Sequence, residues 1–251
     1  MVPSWAPLFS PHYHWAHVAD RDVQRPLRAA FSHWGLPRRL RVDNGKPWGS
    51  WSDLPPVLAL WLIGLGIDMV WNDPRRPQQN GVVERSQGTA KRWAEPQTCR
   101  TVDELQRRLD EDDCLQRERY PLSQGRSRWE LFPGLRHSGR PYRAAAEAAA
   151  WNLTRVQEHL ASYAVPRQVD RQGKVSVYNR NLYVGTMHGG QRVWVQFDPE
   201  QQQWLISDKE GRQLRTLPAP EINAASICQL RIAGQKEPLP GSHEAKPFCR
   251  D

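Results

Sequence analysis

The chain has 251 residues, 39% of them hydrophobic and 25% charged, a composition that suits one large or two modest globular domains. No run approaches the roughly 18 apolar residues of a membrane span, and the N-terminus lacks the basic start and apolar block of a signal peptide. No membrane partner and a cytoplasmic location are therefore expected. The formal net charge of +8 points instead to a polyanionic partner.

In chain order, Trp5 to His14 reads as a short strand. Asp20 caps a helix to about Trp34, with Leu27, Ala30, Phe31 and Trp34 at helical spacing, and Gly35 and Pro37 end it. Arg39 to Asp43 is a second strand, stopped by the Asn44-Gly45 turn signal. An apolar helix follows from Leu54 to Leu65, with Pro55 and Pro56 tolerable only in its first turn. Ile67 to Trp71 is a strand, Pro74 to Pro77 a loop, and about Gln78 to Ala94 a helix. This strand–helix alternation predicts α/β layering over the first 95 residues or so.

Thr101 and Glu104 have capping-box spacing, so a helix is expected to about Arg119, where Tyr120-Pro121 stops it. A Ser/Gly/Arg loop and a helical region from Ala144 to Ser162, closed before Pro166, complete a linker. From Lys174 the pattern changes to short alternating strands at 175–178, 182–185, 192–197, 204–207 and 212–216, a small β-barrel or sandwich. The expected organisation is an α/β core over 1–98, a helical linker over 99–167, an all-β barrel over 168–230 and a disordered tail over 231–251.

Two acids stand out. Asp43 ends a strand, and the C-terminal edge of an open α/β sheet is where ligands gather. Glu84 lies early in the helix that follows Pro77-Gln78-Gln79-Asn80-Gly81. Helical geometry groups Asn80, Glu84, Gln87 and Lys91 on one polar face. Val82, Ser86, Thr89, Ala90 and Trp93 lie on the other side, and Arg85 and Arg92 share a flank. Taken singly, Asp43 reads as turn chemistry and Glu84 as a solvated helix residue. Basic charge gathers around them, with six Lys/Arg against two Glu between Pro74 and Arg100. His12, His14 and His17 lack a fourth metal ligand, and the four cysteines stand too far apart for a zinc site or a disulfide framework.

Together, Val42-Asp43-Asn44-Gly45 and Pro77-Gln78-Gln79-Asn80-Gly81-Val82-Val83-Glu84-Arg85 resemble the second and third acids of the retroviral-integrase-like DDE transposases of bacterial insertion sequences. The resemblance covers about Trp5 to Thr216. It implies an RNase H-like catalytic core and DNA transposition by phosphoryl transfer. It also implies two Mg²⁺ (or Mn²⁺) ions held by Asp43, Glu84 and a first acid, because hard cations prefer oxygen ligands and paired metals stabilise both attacking and leaving oxygens. Asn80 matches a DNA-contacting position and Lys91 one that holds the transposon end; Arg85 and Arg92 extend that surface. DNA, both transposon ends and target, and a homo-oligomer are the implied partners. The family's first acid lies on the first strand of its sheet, whereas here only Asp20 and Asp22 precede Asp43. The resemblance therefore implies a core lacking its first two strands and an inactive copy, from gene decay or a misplaced start codon. A non-catalytic DNA-binding or oligomerisation remnant, or a host regulator that borrowed the fold, are the alternatives. The barrel's Tyr178, Arg180, Tyr183 and Arg192 fit a DNA platform and fit a purely structural barrel equally well; most of the twelve tryptophans read as core, with Trp48 and Trp51, in the loop after Asp43, the ones expected to pack on DNA.

Overall fold

The structure, a computed structural model, describes residues 20–50, 52–75 and 81–230. The strand expected at Trp5–His14, the three N-terminal histidines, Trp51, Asn80 and the tail from 231 onward lie outside the described residues.

The N-terminal part is mixed α/β. Helix α1 (Asp20–Trp34) buries Val23, Leu27, Ala30 and Phe31, the i, i+4, i+7, i+8 stripe expected of a helix facing a core. Strand β1 (Arg39–Val42) pairs in parallel with β2 (Asp68–Trp71), Arg39 opposite Asp68 and Val42 opposite Trp71. Between them runs α2 (Val57–Gly64), shorter than the helix expected from Leu54 to Leu65, since Pro55 and Pro56 stay outside it. All eight of its residues are buried. A helix apolar all round is stable in water only if it is enclosed, and α2 is packed by α1, by β2 and by two later helices, α7 (Leu153–Ala161) and α8 (Ala224–Cys228). Ahead of α7, the single helical region expected from Ala144 is broken into a 3₁₀ turn, a short α6 (Glu147–Ala150) and a bend at Trp151.

Helix α3 (Gly81–Ala94) packs on α4 (Val102–Cys114), which carries the expected Thr101 cap. A π-helical turn, Leu115–Arg119, continues α4. The loop expected after it contains a small hairpin, β3 (Pro121–Ser123) and β4 (Arg126–Ser127), followed by α5 (Arg128–Leu131). The main core cluster contains no described residue between 81 and 135, so these elements form an outlying arm. The arm meets the body where the Arg117 guanidinium lies 4.3 Å over the Trp34 ring.

The C-terminal strands are β5 (Val165–Gln168), β6 (Lys174–Val177), β7 (Arg180–Tyr183), β8 (Arg192–Asp198), β9 (Gln203–Ser207) and β10 (Gln213–Pro218). Pairs such as Val165–Val195, Val195–Ile206 and Phe197–Trp204 stack inward. The closed barrel is not found. The ladder is an antiparallel sheet in the order β10-β9-β8-β5, and β6–β7 is a separate hairpin. Arginine side chains span the two gaps: Arg167 of β5 donates to Ser176 O, Arg215 of β10 to Val184 O, and Arg180 of β7 to Pro218 O. Alternation predicts strands, whereas closure needs edge strands long enough to bond on both sides. Strand β5 was not expected, because Pro166 reads as a stop. Proline is tolerated there since β5 is the sheet's edge. One hydrophobic cluster runs from Val23 to Leu230, joining this sheet to α2.

Candidate functional site

Asp43 is exposed, one residue beyond β1. Its neighbours tie this point to the end of β2. Asn72 N–H donates to Val42 O (2.9 Å), Asn44 Nδ2 to Asn72 O (2.6 Å), and Trp71 Nε1 to Trp48 O (2.8 Å). Parallel strands end at the same edge, so Asp43 and the exit from β2 are neighbours. Asp43 Oδ1 receives Gly45 N–H only at 3.4 Å, a weak Asx-type bond. Trp48, expected against DNA, is half-buried and packs on the core instead.

Glu84 occupies the first turn of α3, exposed and without an ion pair among the described residues. Arg85, Lys91 and Arg92 are exposed on the same half of the helix. Arg85 Nε donates back to Gly81 O (3.1 Å), while the ammonium of Lys91 has no anionic partner among the described residues. The dry stripe of α3 is centred on Ala90 and Ala94, with Val83 and Gln87 half-buried beside them. Trp93, expected on the dry side, is 49% exposed because it projects off this stripe. Asn80 lies outside the described residues. Asp43 thus belongs to the body and Glu84 to the arm.

These carboxylates suit a hard, oxygen-seeking cation in kind. They fall short in number: among the described residues, no group of three or more His, Cys, Asp or Glu side chains could hold a metal ion. Asp20 and Asp22 sit in the first turn of α1 rather than on a strand. Cys99, Cys114 and Cys228 are free. No helix among the described residues is long and apolar enough to cross a membrane.

Two members of the expected aromatic and arginine platform are committed to structure. Tyr178 is half-buried, with its hydroxyl donating to Pro55 O (2.8 Å), and burial pushes its phenol well above the ordinary value. Arg180 is paired with Glu221, which also receives Trp204 Nε1 at 2.8 Å. Tyr183 and Arg192 remain exposed. The residues that sequence reasoning passed over are Arg140 and Arg155, whose guanidinium groups converge at Gly66. Their only signal was a glycine interrupting an apolar run. The chain matches no protein-family model.

Proposed function

We propose that this chain is part of a DDE-type transposase or integrase, acting on DNA by metal-dependent phosphoryl transfer. In this scheme Asp43 and Glu84 are two of its metal-liganding carboxylates. The observation that carries the proposal is the order strand, acid, helix, parallel strand, helix, acid, with Asp43 tied to the exit of β2 and Glu84 opening the next helix. Bound Mg²⁺ would stabilise charge developing on the phosphoryl oxygens. The chain's own groups bind and orient. Lys91, Arg92 and Arg85 draw in the phosphate backbone, and Asn80 contacts the DNA beside them.

The test is Mn²⁺ titration followed by isothermal calorimetry. Asp43→Asn and Glu84→Gln should each weaken Mn²⁺ binding about tenfold or more. Unchanged affinity in both would remove the acids from any metal centre.

One observation favours a second proposal, a non-catalytic DNA-binding remnant: among the described residues, the acids preceding Asp43 lie in the first turn of α1 rather than on a strand. Losing a metal ligand removes much of the electrostatic stabilisation on which such a reaction depends. The 251-residue chain should therefore bind duplex DNA yet give no joined product in Mg²⁺ or Mn²⁺. Efficient strand joining by this chain would rule the remnant out.

A further inference from the structure

At the end of the β1–β2 sheet opposite Asp43, four arginines gather from three places in the sequence. Arg39 opens β1 and meets Asp68 at 3.6 Å, both side chains largely exposed. Arg38 precedes it, exposed. Arg140 is held rigidly: its Nη1 donates to Pro37 O (2.7 Å), its Nη2 to Leu65 O (3.1 Å), and its own carbonyl accepts from Leu36 N–H (2.8 Å). Arg155 projects from α7. Gly66, with φ +72°, leaves the space in which two of them meet. A Cβ there would stand 3.0 Å from Arg155 Cζ and 3.1 Å from Arg140 Nη2.

Four cations against one carboxylate is an unbalanced cluster, and the imbalance is felt. Burial lowers the Arg140 pKa, and the charges of Arg155 and Arg38 lower it further. Capping of α2 explains only part of the arrangement. The carbonyls at its C-terminal end already have donors: Trp61 O takes Leu65 N–H and Trp151 Nε1, Leu62 O takes Ile67 N–H, Ile63 O takes Gly66 N–H, Gly64 O takes Asn152 N–H, and Leu65 O takes Arg140. Arg155 and Arg38 serve none of them.

We propose that Arg38, Arg140 and Arg155 form a phosphate-binding site that receives a backbone phosphate of duplex DNA. Guanidinium forks match phosphate oxygens in pairs. Arg140 is pre-positioned, and Arg155 and Arg38 have donors to spare. The open setting of the cluster and the net charge of +8 suit a long polyanion rather than an enclosed small ion. The four residue steps from Arg39 to Asp43 separate this end from Asp43 by about 13 Å, so the site is distinct from the acids and does not require them to be catalytic.

The experiment is fluorescence anisotropy of the full chain with a generic 20-base-pair duplex in EDTA across a salt series. Each lost phosphate contact lowers the slope of log Kobs against log salt by about 0.9. Arg155→Gln should lower it by up to one such step, and the Arg38→Ala/Arg155→Ala pair by about one full step, with circular dichroism unchanged. Lys209→Ala, an equal charge change in the turn between β9 and β10, should leave the slope alone. Slope and phosphate binding both unchanged in Arg155→Gln, or a slope lowered equally by Lys209→Ala, overturn the site. Calorimetry with inorganic phosphate provides a second arm. Phosphate binding lost in Arg155→Gln with the duplex slope intact would overturn the DNA assignment in favour of a free phosphoryl ligand.

Discussion

Glu147 is nearly sealed from solvent at 6% exposure, yet it is fully partnered. Arg28 Nε and Nη2 donate to its two oxygens at 2.9 and 2.6 Å, Trp61 Nε1 donates at 3.1 Å, and the Tyr142 hydroxyl completes the set. Burial alone would raise its pKa, but the bonds from Arg28, Tyr142 and Trp61 outweigh it and hold the carboxyl below the ordinary value. A depressed folded-state pKa contributes stability that is present above the unfolded value of about 4.3 and lost as pH falls through the folded one. Glu147→Gln keeps the size but breaks the ion pair, and Arg28 is partly exposed, which softens the loss. We predict a cost of about 2–3 kcal/mol in urea unfolding at pH 7, shrinking toward zero below pH 4. A pH-independent difference would mean that charge is not what the cluster holds. None of this was legible in the sequence, where Arg28, Trp61, Tyr142 and Glu147 share no motif or spacing. Tyr178 and Arg180 failed for a related reason: an aromatic and a cation on either side of Asn179 look alike whether they face solvent or a partner such as Glu221.

At the scale of elements, period was readable and packing was not. The alternation read at 192–197 and 204–207 gave β8 and β9 to within one residue, because one face of each strand is dry. Strand β5 was hidden by a proline that only its edge position makes acceptable. Helix α8 was hidden by its brevity, at five residues. The apolar run of α2 identified a helix, but not the fact that its end is a socket. The Trp151 indole sits directly against Gly64, where any Cβ would collide with the ring, and its Nε1 donates to Trp61 O at 3.0 Å. Gly64→Ala should therefore cost about 1–3 kcal/mol by overpacking, despite alanine's better helix propensity. In Trp151→Ala the same change should be neutral or stabilising, and a double-mutant cycle of unfolding free energies measures that coupling. Additive effects would show that the two residues do not meet.

At the scale of the whole molecule, the chain is a body with one continuous core and an arm of α3, α4, the π-helical turn and the β3–β4 hairpin outside it. Arg117, paired with Asp113, reaches across to Trp34 where the two meet. The Asp113 carboxyl is pushed up to about 6, by burial first and despite Arg117, so this contact is made at some cost in desolvation. Because Asp43 rides on the body and Glu84 on the arm, any ion they share also measures how the two parts are docked. Its apparent affinity equals the intrinsic one multiplied by the fraction of molecules with the arm seated. Trp34→Ala, which touches neither carboxylate, should weaken Mn²⁺ binding while leaving the duplex salt slope set by Arg38 and Arg155 unchanged, since those arginines belong to the body alone. The ion would then act as a latch gauge: where it binds weakly, the arm is loose, and where it binds tightly, the arm has closed.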